Sequence, residues 1–120
     1  MLDVNDPARL STTGSNTVRI AQLNDDARRH LNCNVVATPG FRALPPHTRR
    51  ALLEQLVTFD KFDGDNDPHG ERDFGKLTAD GVEAFWKIDY YDLALSAASP
   101  DPANPAITAR VLTLMLVSEY

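Results

Sequence analysis

The sequence predicts an α+β fold, with a small antiparallel sheet that contains a hairpin and packs against about three helices. Three observations carry this prediction. Apolar residues recur every three or four positions in three separate segments. A ten-residue run directly after an Asp-Gly pair puts apolar residues at every second position and a half charged, half aromatic set between them. Finally, 30 of the 120 residues are Leu, Ile, Val or Phe. That quarter of the chain exceeds the level of about 20% below which charged chains stay disordered, and the length suits one core.

Residues 1–16 combine Asp, Pro, Ser, Thr and Gly with no apolar period, which predicts a flexible lead-in followed by a single domain over 17–120. Ser15 or Asn16 is placed to cap a first helix, whose expected buried stripe is Ile20, Leu23, Ala27 and Leu31. Its outer face would then carry Asp25, Asp26, Arg28, Arg29 and His30, with Asp25–Arg29 and Asp26–His30 as i, i+4 pairs. Residues 33–38 contain adjacent β-branched Val35 and Val36 and stop at Pro39-Gly40, which predicts a strand closed by a turn. Leu44-Pro45-Pro46 opens a second helix, because proline in a first turn loses no helical hydrogen bond. Leu52, Leu53, Leu56, Val57 and Phe59 form its apolar face.

Residues 63–71 hold acids and turn formers but no apolar residue, and so read as a loop. Phe74–Leu77 and Val82–Tyr91 flank Asp80-Gly81 and predict the hairpin. On its second strand Val82, Ala84, Trp86, Ile88 and Tyr90 share the core face, leaving Glu83, Phe85, Lys87, Asp89 and Tyr91 facing outward. Asn104-Pro105 looks like the cap and first residue of a last helix, with Ile107, Val111, Leu114 and Met115 as its stripe. The expected core is therefore Leu23, Leu31, Leu52, Leu56, Trp86, Ile88, Val111 and Leu114.

Several function classes are excluded at this level. No apolar run approaches the ~20 residues of a membrane span, and the first residues lack the pattern of a signal peptide. The lone Cys33 can form no internal disulfide and no Cys-based zinc site, and a cysteine at a strand start is expected to be a small hydrophobe. A cytoplasmic protein is the expectation. Glycine-rich phosphate loops, nucleophile elbows and paired helical histidines are all missing.

Charge is segregated along the chain. Residues 1–59 carry seven arginines against five acids, whereas residues 60–92 carry ten acids against four bases. Asp63, Asp65 and Asp67 match the first three ligand positions of an EF-hand, but Pro68 stands where glycine is required and Phe74 where the bidentate Glu belongs. No metal and no cofactor is expected. The acidic block instead suits a protein partner with a basic surface, contacted through Asp63, Asp65, Asp67, Glu71 and Asp73 together with Lys87, Asp89 and Tyr91 of the outward strand face. The alternative is a small metal-dependent or acid/base enzyme built on His69, Glu71, Asp73 and Asp89. Direct nucleic-acid binding is not expected, because the arginines lack an aromatic platform and no recognition module is visible.

The stretches Asp65–Gly75, Phe85–Asp92 and Ser99–Pro102 resemble a family of small bacterial proteins known only as a domain of unknown function. The resemblance covers roughly residues 17–120 and is most specific around Trp86. Family members are often encoded on plasmids and mobile elements, and no catalytic residue or cofactor is carried over from them. The resemblance implies a non-catalytic inhibitor of a host nucleic-acid-handling defence complex, of anti-CRISPR or anti-restriction type. The partner implied is a nuclease complex with a basic surface.

Overall fold

Asp80 and Gly81 both adopt left-handed backbone, with φ of 54° and 75°, as a two-residue hairpin turn between right-twisted strands requires. This turn joins β2 (Phe74–Ala79) to β3 (Val82–Tyr91) and sets their register, with Gly75 opposite Trp86 and Leu77 opposite Ala84. The computed structural model describes residues 12–120, with side-chain surroundings from Asn16 onward. Most of the expected lead-in thus lies outside the described residues. The remaining elements are α1 (Thr12–His30), β1 (Asn34–Ala37), α2 (Pro39–Arg42), α3 (Pro46–Val57) and β4 (Ala109–Leu116), followed by a 3-10 turn at Val117–Glu119.

The fold is α+β, as expected, but its parts differ in two respects. The third long helix is absent: Asn104 and Pro105 lie in a turn, where the Asn104 side chain accepts the Ala106 N–H, and the chain then extends as β4. The stripe Ile107, Val111, Leu114, Met115 fits a helical period, yet Arg110, Leu112, Leu114 and Leu116 fit period two equally well. An apolar run flanked by proline cannot be assigned by periodicity alone. Tertiary pairing decided it, since β3 offered an unpaired edge that β4 satisfies from Ala84↔Leu116 to Tyr91↔Ala109. The third helix is instead α2, four helical residues at Pro39-Gly40 where a turn closing the strand was expected.

The second difference is that the sheet is mixed. Its order is β1-β4-β3-β2, with β1 parallel to β4 and the other pairs antiparallel. All the longer helical packing lies on one face. There Leu52 and Leu56 of α3, with Phe41 of α2, bury Leu77, Ala84, Trp86, Ile88, Leu112 and Leu114. Among the described residues, no α-helix lies over the opposite face.

Three expected core residues are placed otherwise. Leu31 is 37% exposed, and Leu23 and Val111 are only half-buried. On α1 the buried line runs through Ile20, Asn24, Ala27 and Arg28, rotated so that polar side chains face inward. Asp25 is buried as well, so the expected outer face is only partly outer. Reading polar residues as solvent-facing failed here because both Asn24 and Arg28 find buried partners.

Trp86 is fully buried, and its indole crosses directly over Gly75, where an added Cβ would sit 2.5 Å from Nε1 and 2.6 Å from Cζ of Phe59. Trp86→Ala is expected to destabilise the domain by about 3–5 kcal/mol in urea unfolding. Gly75→Ala should cost about 1–3 kcal/mol by overpacking the same spot. A Gly75→Ala variant as stable as the wild type would show that Phe59 yields freely and that the contact is slack.

Candidate functional site

The acidic loop begins from two aromatic anchors. Phe59 and Phe62 stack edge-on against each other at 5.0 Å and against Trp86 at 5.5 and 6.1 Å. The Arg28 guanidinium lies 5.4 Å from the Phe62 ring and 5.5 Å from Trp86, and donates to the Phe59 carbonyl at 2.9 Å and to Asp25 at 3.0 Å. Asp25 also accepts from Arg72, whose guanidinium covers Phe62 at 5.5 Å. Both ends of the loop are therefore fastened to α1.

A second polar cluster sits beside it. Fully buried Asn24 donates to the Glu71 carbonyl and the Tyr90 hydroxyl, and accepts from Arg110 Nε at 2.7 Å. Tyr90 donates to Glu71 Oε1 at 2.8 Å. Burial pushes the Tyr90 phenol far above its ordinary range, so it remains a donor at every physiological pH. Arg110 closes the cluster by stacking on Tyr90 at 5.2 Å and donating to the Pro102 carbonyl.

Within the loop, the carboxylates chiefly order the backbone. Asp63 Oδ1 accepts the N–H groups of Asp65 and Asn66, and Asp67 Oδ1 accepts that of Arg72, whose φ of 56° turns the chain into β2. Asp63 and Asp65 remain exposed at the tip, while Asp67 is half-buried.

The uncovered sheet face carries the other half of the expected surface. Lys87 and Asp89 pair there at 2.6 Å, which raises the Lys87 pKa chiefly through that hydrogen bond, and Lys76 pairs with Glu83 at 3.2 Å. Next to them Phe74, Phe85 and Tyr120 form an aromatic triad with centroids 4.9 to 5.8 Å apart. Tyr120 is 76% exposed. Tyr91 lies half-buried at the far end of β3, where it bridges to Ala98.

The structure thus divides the expected residues into three sets. Asp63, Asp65 and Asp67 belong to the loop tip; Glu71 and Asp73 lie on the helix-covered side with Tyr90; Lys87, Asp89 and Tyr91 lie on the uncovered side. The constellation His69, Glu71, Asp73, Asp89 is not assembled, because Glu71 bonds Tyr90 whereas Asp89, one position earlier on β3, projects from the opposite face. Among the described residues no group of three or more His, Cys, Asp or Glu side chains is placed to hold a metal ion. Cys33 is half-buried, and burial raises its thiol pKa.

The aromatic triad was missed as a unit. Phe85 stood on the outward face in the sequence, but Phe74 joins it only through the Phe74↔Lys87 register, and Tyr120 only through the return of the chain after β4.

Fold and surface together define a small α+β protein with a one-sided sheet, a mixed aromatic and charged open face, and an ordered acidic loop at its margin. The chain belongs to the DUF3768 family of proteins of unknown function, whose profile matches residues 37–119. The match covers β2, β3, β4, α2 and α3, and lies within the 17–120 span of the resemblance read from the motifs. No curated protein and no solved structure matches the chain significantly.

Burial, followed by the neighbouring Glu71 charge, raises the Asp73 pKa above its usual 3.8. A carboxyl raised on folding stabilises the folded state at pH below 3.8, and that contribution is lost as pH rises through the folded value. Asp73→Asn should therefore raise the Tm at pH 7, with the gain shrinking as pH falls toward 3.8. Thermal melts across pH 3 to 8 measure this, and a lower Tm for the variant at pH 7 would assign the Asp73 carboxylate a favourable contact of its own.

Proposed function

We propose that this protein is a non-catalytic binding module that presents its uncovered sheet face and the tip of the acidic loop to a protein partner with a basic surface. The observation that carries the reading is the aromatic triad Phe74, Phe85, Tyr120 on a sheet face that no helix among the described residues covers. Tyr120 is the exposed member, Phe74 and Phe85 are half-buried beneath it, and aromatic anchors of this kind supply much of the affinity in protein interfaces. Carboxylates at the rim, here Asp63 and Asp65, steer encounter with a positive patch.

Charge complementarity also selects the partner class. Both lysines of the open face are already paired with carboxylates, which leaves little positive field for a phosphate backbone and disfavours direct nucleic-acid binding. A protein that itself handles nucleic acid offers the contiguous Lys and Arg surface that exposed acids would engage. Inhibition of a host defence nuclease, of anti-CRISPR or anti-restriction type, is the specific form of this proposal. The Glu71–Tyr90 bond favours binding over acid/base chemistry, since it commits a carboxylate the enzyme reading would need.

Replacing Asp63, Asp65 and Asp67 together by Lys is expected to keep the helices and sheet, as read by circular dichroism, because none of the three packs in the core, while it releases the loop turns that Asp63 and Asp67 close. Association with a partner captured by the wild type should slow by roughly tenfold at low salt and converge with the wild type at high salt. Tyr120→Ser should instead speed dissociation. If both variants held every wild-type partner at unchanged affinity, the open face and the loop would not be the binding surface.

A further inference from the structure

The two edges of the sheet are finished differently. At β2, the Gln55 side chain reaches from α3 and occupies the edge as a neighbouring strand would, donating to the Thr78 carbonyl at 2.5 Å and accepting the Thr78 N–H at 3.1 Å. At β1 no element among the described residues does this. The Thr38 N–H bonds the Leu114 carbonyl, so alternation directs Asn34, Val36 and Thr38 toward β4 and leaves the main-chain groups of Val35 and Ala37 on the free side. Arg42 takes the Ala37 carbonyl. Among the described residues, the Val35 N–H and carbonyl and the Ala37 N–H remain without a backbone partner.

An apolar groove of ≈ 520 Å³ runs along this edge, floored by Val35, Ala37, Phe41, Leu53 and Leu114. Val35 is 40% exposed within it. Leu31, which also lines it, is held at φ 52°, a left-handed conformation that is unfavourable for leucine at a helix end. Arg42, Arg49 and Arg50 rim the groove, and none forms an ion pair among the described residues, although the Arg42 charge helps to lower the Glu119 pKa.

We propose that this edge is a second binding site, which takes an extended acidic peptide segment of a partner as a fifth strand beside β1. Its main chain pairs with Val35 and Ala37, its alternate apolar side chains enter the groove, and its carboxylates meet the arginine rim. The site stands apart from the open sheet face, because Val35 and Ala37 project to the helix side while Val36 projects to the open side. The three arginines of the rim argue against a second copy of this chain paired through the same edge, since each copy would bring the same positive charge.

The test uses the full chain and a fluorescent, end-blocked peptide, Glu-Ile-Glu-Val-Glu-Ile-Glu, with a Lys-for-Glu version and dodecanoate as comparison probes. The acidic peptide should bind and shift the amide resonances of Val35 and Ala37. Arg49→Glu with Arg50→Glu should weaken it at least about tenfold, as should Val35→Pro, which removes one free N–H and no ladder hydrogen bond. Circular dichroism and retained chemical shifts in β3 would show that the variants fold. The proposal is overturned if the acidic peptide does not bind at millimolar concentration, or if the Lys peptide binds equally well. It is also overturned if dodecanoate displaces the peptide while Val35→Pro has no effect, which would make the groove a site for amphiphilic anions. A dimer that dissociates on reversal of Arg49 and Arg50 would assign the edge to a second copy instead.

Discussion

A single buried guanidinium organises this molecule. Arg28 has no exposed surface, and its charge is balanced by Asp25, by the Phe59 carbonyl and by the faces of Phe62 and Trp86. Burying a charge costs several kcal/mol unless it is paired and hydrogen-bonded, so these groups are constrained to keep their relative positions. The Arg28 Nε and Trp86 Nε1 atoms, both buried, have no acceptor among the described residues. The contact is therefore held by ring electrostatics and by the other two guanidinium nitrogens. α1 is tied to the rest of the fold at this point, through Asn24 one turn earlier, through the Asp25–Arg72 pair and through buried Ile20 and Ala27.

The consequence is greatest for the acidic loop. Between Asp63 and Glu71 there is no apolar side chain, so hydrophobic burial cannot fix this segment. It is held at its two ends, by Phe59 and Phe62 on Trp86 and by Arg72 on Asp25, and inside by Asp63 and Asp67 closing their own turns. An ordered loop loses less conformational entropy when a partner binds than a disordered one would. The same interactions leave the outermost acids, Asp63 and Asp65, at the surface, where their charge acts at a distance.

The one-sided sheet sets the second constraint. Helices cover the face of Trp86, Ile88 and Leu112, and the other face is left to short-range pairings: two lysine–carboxylate pairs and the triad Phe74, Phe85, Tyr120. Glu119 ties down the chain after β4 by accepting from Thr38 Oγ1, Gly40 N–H and Leu116 N–H, and those bonds, led by the one from Thr38, lower its pKa. That clamp places Tyr120 beside Phe85 and so completes the aromatic surface from opposite ends of the sequence.

What the sequence determined by itself was local. The hairpin and its register followed from Asp80-Gly81, α3 from the Pro45-Pro46 entry and the Leu52, Leu56 spacing, and the two faces of β3 from the period-two placement of Val82, Ala84, Trp86 and Ile88, because each is a backbone preference or a period written in adjacent residues. The exposure of Asp63 and Asp65 was legible for the same reason, since a run without apolar residues has nothing to bury. Tertiary structure alone decided the rest. Residues 109–116 satisfy helix and strand periods alike, and only the open edges of β1 and β3 made them a strand. Asn24 and Arg28 are polar, and their burial became favourable through partners that residues 59 to 110 contribute, beside the local Asp25 that pairs with Arg28. The aromatic triad and the arginine-rimmed groove exist because distant segments converge, which no local pattern records.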